Sequence, residues 1–510
     1  MEKRIRRLGI FMLVCFVALF VQLNNIQVIK AHSLATSPSN PRVIEAEYSQ
    51  PRGSIISADG VTLAKSVLAA PGSPYKYQRV YPTNTATLFA QIVGFDSTIY
   101  GNYRGVESEY NNYLKAHTKP ATSLRDLLTN NTVTDNVTLT MSSKLQLQVA
   151  AAINQHAANQ SGAAAVVLDP TTGAIEAMYS NPTFDPNPLV SQTPSVQSAT
   201  WNTLVHEHPS PLVPDTYADT NPPGSSFKVV TASTVLEHRP DLASQTYPTV
   251  PFVTLPDTGT PPQVLTNYAS QPCGGTFELL LIQSCDADFA QIGFQLGATA
   301  LVNQAELYGF NQRVPIDLPA DTVAVSNFGT VADFAPTGQA GIPGLMKSAI
   351  GQENVAATTL QMAMVAGTVA DGGLEMTPHV MAQIRDSQGN LVESYTPKPW
   401  QRPISQQTAT TLTTFMQGVV SNPAGTAAGV GFPASWQVAA KTGTAQVGSF
   451  GPNPPFTTDW LIAFAPVGQA KVAIAVVLPN QKGSATGAAD SGPILKQILG
   501  DVRTDAGLSG

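Results

Sequence analysis

The sequence predicts an α+β protein: an N-terminal membrane anchor, a small mixed domain, and a larger domain whose antiparallel sheet is flanked by helices. Three observations carry this. Four basic residues precede an apolar run from Leu8 to Leu23. Two apolar stretches, 163–168 and 174–179, are joined by the tight turn Asp169-Pro170-Thr171-Thr172-Gly173. Three further strand-like stretches and a helix close the chain after a largely helical middle.

At 510 residues the chain is long enough for two or three domains. Charged residues make up 12%, about half the usual fraction. The net charge of −7 gives a nucleic-acid partner no electrostatic support. Few charges and frequent turns (39 Gly and 40 Pro) suit an exported protein. Lys3, Arg4, Arg6 and Arg7 keep the N-terminus in the cytoplasm and send the remainder across, and Ile26, Val28 and Ile29 lengthen the span. A cleaved signal peptide ending at Ser33-Leu34-Ala35 is the competing reading. The run exceeds the usual signal-peptide core, which favours an uncleaved anchor. Residues 1–35 read as a basic stub and anchor, 36–160 as a pedestal domain with no candidate chemistry, and 161–510 as the larger domain. Cys15 falls inside the anchor. Cys273 and Cys285 are either a disulfide, which an oxidising exterior permits, or two buried thiols.

In order, residues 51–64 read as strand, turn at Asp59-Gly60, and strand, and Arg104–Leu114 as a helix. Val137–Thr140 is a strand, and Ser142 caps a helix through Ile153. After the 163–179 hairpin a long polar loop runs to Gly224. A helix follows from Ser225 to His238, then another loop, then helical stretches at 277–283 and 287–296. Thr358–Ala370 is a helix stopped by Gly372-Gly373, and 379–396 a hairpin. Ser405 caps a helix through Val420. Strands at 437–446, 459–465 and 471–478 and a helix at 491–499 complete the domain.

Chemistry gathers in three short stretches. Ser225 starts a helix behind Pro222-Pro223-Gly224, and Lys228 lies one turn on, on the same side. That pairs a nucleophile with a base, provided burial or a second cation lowers the amine's pKa. A serine capping a helix is the bland alternative. Ser284-Cys285-Asp286 sits between two helical segments, where a loop can present a hydroxyl. Lys441-Thr442-Gly443-Thr444 supplies a cation and hydroxyls within a strand, and Gly443 lets another backbone or a ligand come close. His206-Glu207-His208 lacks the spacing of one helix face and a third ligand, so no metal or other cofactor is expected. Asp96, Glu107 and Glu109 precede the domain and read as structural.

Ser-x-x-Lys, Ser-x-Asn and Lys-Thr-Gly in that order form the pattern of the penicilloyl-serine transferases, which this chain resembles. Arg52-Gly53-Ser54-Ile55 with Asp59-Gly60, and Gly105-Val106-Glu107, look like the N-terminal motifs of class B penicillin-binding proteins. Leu168-Asp169-Pro170, Asn181–Asn187, Gly351-Gln352, Leu360–Ala363 and Gly425-Thr426-Ala427 are similar to further family segments. Coverage is nearly the whole chain, and it looks most similar to the actinobacterial penicillin-binding protein A type. The resemblance implies a D,D-transpeptidase of cell wall synthesis and division. Ser225 would attack stem peptides ending in D-Ala-D-Ala, Lys228 would be the base, and Ser284 would relay a proton. Lys441, Thr442 and Thr444 would hold the terminal carboxylate. Backbone N–H groups of Ser225 and Thr444 would form the oxyanion hole. β-Lactams would acylate Ser225, and a membrane-embedded glycosyltransferase would be the partner.

Two positions depart from the pattern. Asp286 replaces the family's Asn, accepts where an amide donates, and can pair with Lys228, raising that amine's pKa. Pro211-Leu212-Val213-Pro214-Asp215 lacks the Asn-Arg usual after Pro-Leu. Two alternatives stay open: a β-lactamase or β-lactam sensor on the same fold, and a catalytically weak scaffold for a membrane polymerase. The first needs a deacylating glutamate, and the domain is poor in Glu.

Overall fold

A computed structural model describes residues 2–30, 41–118, 132–157, 162–448, 455–482 and 485–505. Ser33-Leu34-Ala35 and the boundaries placed near 35 and 160 lie outside these residues. Helix α1 (Glu2–Asn24) continues as a wider turn through Ile29, and the whole is long and apolar enough to cross a membrane.

The elements that frame the two main sheets and the site follow in chain order. Strands β1 (Ile55–Ile56), β2 (Thr62–Leu68), β3 (Tyr77–Val80) and β4 (Asp135–Leu139) precede α2 (Ser143–His156). The Ser142 side chain caps α2 by accepting from Leu145 N at 3.4 Å. Strands β5 (Ala163–Leu168) and β6 (Ile175–Asn181) make the expected hairpin, and α3 (Pro194–His206) follows. Then come α4 (Lys228–His238), α5 (Phe277–Gln283), α6 (Asp286–Leu307) and α7 (Thr359–Ala370). Strands β7 (Met381–Asp386) and β8 (Leu391–Ser394) lead to α8 (Gln406–Ser421). Strands β9 (Ala439–Val447), β10 (Phe456–Ala465) and β11 (Val472–Lys482) precede α9 (Gly487–Asp505).

The five-stranded sheet of the larger domain has the order β6-β5-β11-β10-β9, antiparallel throughout. Its strands read as apolar runs because both faces are covered. Ala163, Ala165 and Val167 pack with Val149 and Ile153 of α2 and Ile494, Leu495 and Ile498 of α9. Ala164, Val166 and Leu168 point the other way, into a core that contains Met362, Ala363 and Val365 of α7. The period of two along one strand thus separates two cores.

Three expectations are corrected. The 379–396 hairpin, read as part of the larger domain, is built into the six-stranded sheet of the smaller domain, whose order is β8-β7-β4-β1-β2-β3. Alternation shows that a segment is a strand but not which edge it joins. The stretch before Gly224 contains α3 rather than continuous loop. Its apolar pattern is thin, but Trp201 stacks on Tyr100 with ring centroids 4.6 Å apart, and Gln197 Oε1 accepts from Ser97 Oγ at 2.6 Å. Those contacts supply what local periodicity lacks. The loop after α4 holds short strands, Thr246–Val250 with Cys273–Thr276 and Phe252–Thr254 with Val264–Thr266.

In the smaller domain Glu107 is fully buried. It accepts from Arg52 Nε at 2.7 Å, Arg79 Nε at 2.6 Å and Tyr81 OH at 3.1 Å. Arg79 also donates to Gly53 O at 2.7 Å. The cluster ties β1, β3 and the 105–109 helix together, which agrees with the structural role expected of Glu107.

Candidate active site

Ser225 sits in a 3-10 turn, Gly224–Phe227, that runs directly into α4. Gly224 has φ 53°, and a side chain there would reach within 2.6 Å of Thr444 O. Across the same contact, a side chain on Gly443 would reach within 2.4 Å of Pro223 O. Glycine at both positions lets the turn that carries Ser225 lie directly on β9, the close approach expected of Gly443. Trp460 Nε1, from the next strand, donates to Pro222 O at 2.8 Å and pins the proline pair.

Ser284 takes the left-handed conformation (φ 62°, ψ 46°) at the end of α5, so its side chain leaves the helix and turns towards the amines. Lys228 Nζ donates to Ser284 O at 2.8 Å, Ser284 Oγ at 3.2 Å and Asp286 Oδ1 at 2.7 Å. These three bonds occupy the three protons of an ammonium. Lys441 Nζ donates to the same Ser284 Oγ at 2.9 Å and to Thr442 O at 3.1 Å. Ser225 Oγ donates to Asp286 Oδ1 at 3.3 Å. A single hydrogen-bonded chain therefore runs Ser225, Asp286, Lys228, Ser284, Lys441.

Both amines are completely buried. Burial lowers the pKa of Lys228, and the carboxylate of Asp286 opposes but does not reverse this. Asp286 pairs with Lys228 and raises its pKa as expected, but in a dry site desolvation outweighs one carboxylate and the net direction is down. Burial and then the nearby Lys228 charge push Lys441 well down, with Asp286 again opposing. Asp288, two residues further along α6, is raised to about 6 by burial, with Lys228 opposing.

Ser225, Ser284, Asp286, Thr442 and Thr444 are among the residues that line a groove of roughly 810 Å³, with both amines buried beneath it. Sequence reasoning did not assign roles to Thr426 and Gln352, although both fell in stretches it singled out. Thr426 and Thr442 share a hydrogen bond at 2.6 Å, and Gln352 Oε1 accepts from Gln446 N at 3.2 Å. Asn267 and Thr486, also on the rim, carried no local signal. Cys273 and Cys285 form a disulfide, with Cα atoms 5.5 Å apart, that ties the groove's rim to the loop holding Ser284. His206 ends α3 and is exposed. Among the described residues, no group of three or more His, Cys, Asp or Glu could hold a metal ion.

This chain belongs to the penicillin-binding protein transpeptidases. Residues 163–500 match the penicillin binding protein transpeptidase domain, and residues 52–137 match the penicillin binding protein A dimerisation domain. The particular likeness is to PbpA. The peptidoglycan D,D-transpeptidase PbpA of Mycobacterium tuberculosis is 33% identical over 98% of each chain, and that of Mycolicibacterium smegmatis 33% identical over 97% of each. The structure of penicillin-binding protein A from M. tuberculosis as its penicillin G acyl-enzyme superposes with TM-score 0.76 at 30% identity, covering 89% of this chain and all of that one.

Proposed function

We propose that this protein is a peptidoglycan D,D-transpeptidase that cross-links stem peptides through an acyl-serine intermediate and is inhibited by β-lactams. The observation that carries it is the unbroken hydrogen-bonded chain that runs from Ser225, on the groove, through Asp286 and Ser284 to the two amines buried beneath it. Ser225 Oγ attacks the carbonyl of the penultimate D-Ala as its proton passes towards Lys228, directly or through Asp286. The lowered pKa of Lys228 supports the amine as the base. Ser284, bonded to both amines, returns a proton to the departing D-Ala nitrogen. Lys441, Thr442 and Thr444 hold the terminal carboxylate. Backbone N–H groups of Ser225 and Thr444, brought together by the contact of Gly224 with β9, stabilise the oxyanion. The amine of a second stem then attacks the ester, forms the cross-link and frees Ser225.

α1 holds the protein in the membrane, with its basic end in the cytoplasm and the groove outside. A membrane-embedded glycosyltransferase supplies the glycan strands, and co-purification in detergent tests that pairing. For the chemistry, fluorescent penicillin should label the wild-type chain at Ser225, located by peptide mass, and should leave Ser225→Ala unlabelled. Equal labelling of both would overturn the assignment. Rapid turnover of nitrocefin would point to a β-lactamase instead.

A further inference from the structure

Behind the wall of the groove two carboxyl groups stand together. Asp459 of β10 is paired across the sheet with Thr444 of β9 and is completely buried. Its Oδ2 accepts from Thr457 Oγ1 at 3.3 Å, and the Thr444 hydroxyl also donates to this carboxyl group. Its Oδ1 has no conventional donor, but Asp459 and Asp490, in the first turn of α9, are hydrogen-bonded to each other. Two carboxyl groups bond in this way only when one keeps its proton.

The same place ties β9 to α9. Thr444 Oγ1 accepts from Gly487 N at 3.2 Å, and Ser491 Oγ donates to Asp459 O at 2.8 Å. A side chain on Gly487 would come within 2.0 Å of Trp460 O, so the helix start lies flush on the sheet. Thr444, Thr486 and Gly487 all line the groove.

We propose that Asp459 is a positioning residue for acyl transfer: as a neutral acid bonded to Asp490, it clamps the first turn of α9 onto β9 and holds Thr444 in place at the groove. This rests on the transpeptidase reading above. Burial first, and Asp490 second, push Asp459 up to about 8, and burial raises Asp490 as well. Of the elements packed on β10, β9 brings Lys441, whose amine turns to Ser284, and β11 brings Lys482, which is exposed. α9 brings Asp490 and, further along, Lys496, Asp501, Arg503 and Asp505; α7 and the 224–227 turn bring no charge. Once the shared proton is lost the two carboxylates repel, and Thr444 loses its anchorage to α9.

The test is the second-order rate of Ser225 acylation by fluorescent penicillin, measured from pH 6 to 10 on the full chain in detergent. Wild type, Asp459→Asn and Asp490→Asn are compared. An amide keeps the hydrogen bond without titrating, so both variants should acylate within about twofold of wild type near pH 6.5. Near pH 9 the wild type should have slowed, leaving both variants about threefold faster or more. Burial also pushes the Lys441 amine well down, and whatever it contributes to the profile is common to all three proteins. The same alkaline decline in the variants as in wild type would overturn the proposal, as would variants crippled at pH 6.5. Absence of any Ser225 adduct in wild type would remove the transpeptidase reading itself, and this inference with it.

Discussion

The smaller domain and the groove each bury two cations beside carboxylates, but they use different cations. Around Glu107 the cations are Arg52 and Arg79, each donating a guanidinium N–H to one carboxylate oxygen. In the groove they are Lys228 and Lys441. Burial by itself would raise Glu107, but the two guanidinium groups outweigh it and hold it low. Arg52 is likewise raised, because Glu107 and Asp96 outweigh its burial. In the groove burial wins instead, and both amines are pushed towards neutrality. A guanidinium does not give up its proton in a protein, whereas an amine does. The arginine cluster is therefore suited to holding strands together, and the lysine pair to moving protons. Buried charge alone does not mark a catalytic site; the proton that can leave does.

Exchanging the cation type is the most direct way to break that contrast. Lys228→Arg keeps the charge and removes the base, so acylation by penicillin should fall by about 10² to 10⁴. Thermal unfolding should show the variant still folded, and near-normal acylation would show that Lys228 is not the base. The counterpart in the smaller domain is a loss of stability. Glu107→Ala strands two buried guanidinium groups and should cost about 3–5 kcal/mol in denaturant unfolding. Arg79→Lys, which gives up the bond to Gly53 O or the one to Glu107, should cost about 1–3 kcal/mol by the same measurement. If either substitution left the midpoint unmoved, the cluster would not be the structural tie described.

The smallest effect concerns pH. Asp286 opposes the lowering of the Lys228 pKa, so Asp286→Asn should lower it further. More of the amine is then neutral at a given pH. The acid limb of the acylation profile should move to lower pH, and the rate at pH 7 should rise by a factor of about two to ten. A limb displaced upwards would mean that Asp286 itself takes the Ser225 proton.

Much of this was legible locally. The Pro-Pro-Gly before Ser225, the Ser142 and Ser405 caps and the turn at 169–173 announce their elements through backbone chemistry within a few residues. Helix α3 was not, because its support comes from Tyr100 and Ser97, about a hundred residues earlier. Thr426 and Gln352 matter only through what folding sets beside them.

The order of chemical groups along the chain, the apolar alternation of its strands and the glycines that permit close backbone contact are properties of the sequence by itself. Which proton sits where was decided by tertiary structure. Asp286 lies between Ser225 and Lys228, Ser284 bridges two amines, and Asp459 meets Asp490 only once α9 lies on the sheet. A pKa depends on burial and on neighbours at a few ångströms, and both are set by segments dozens to hundreds of residues apart.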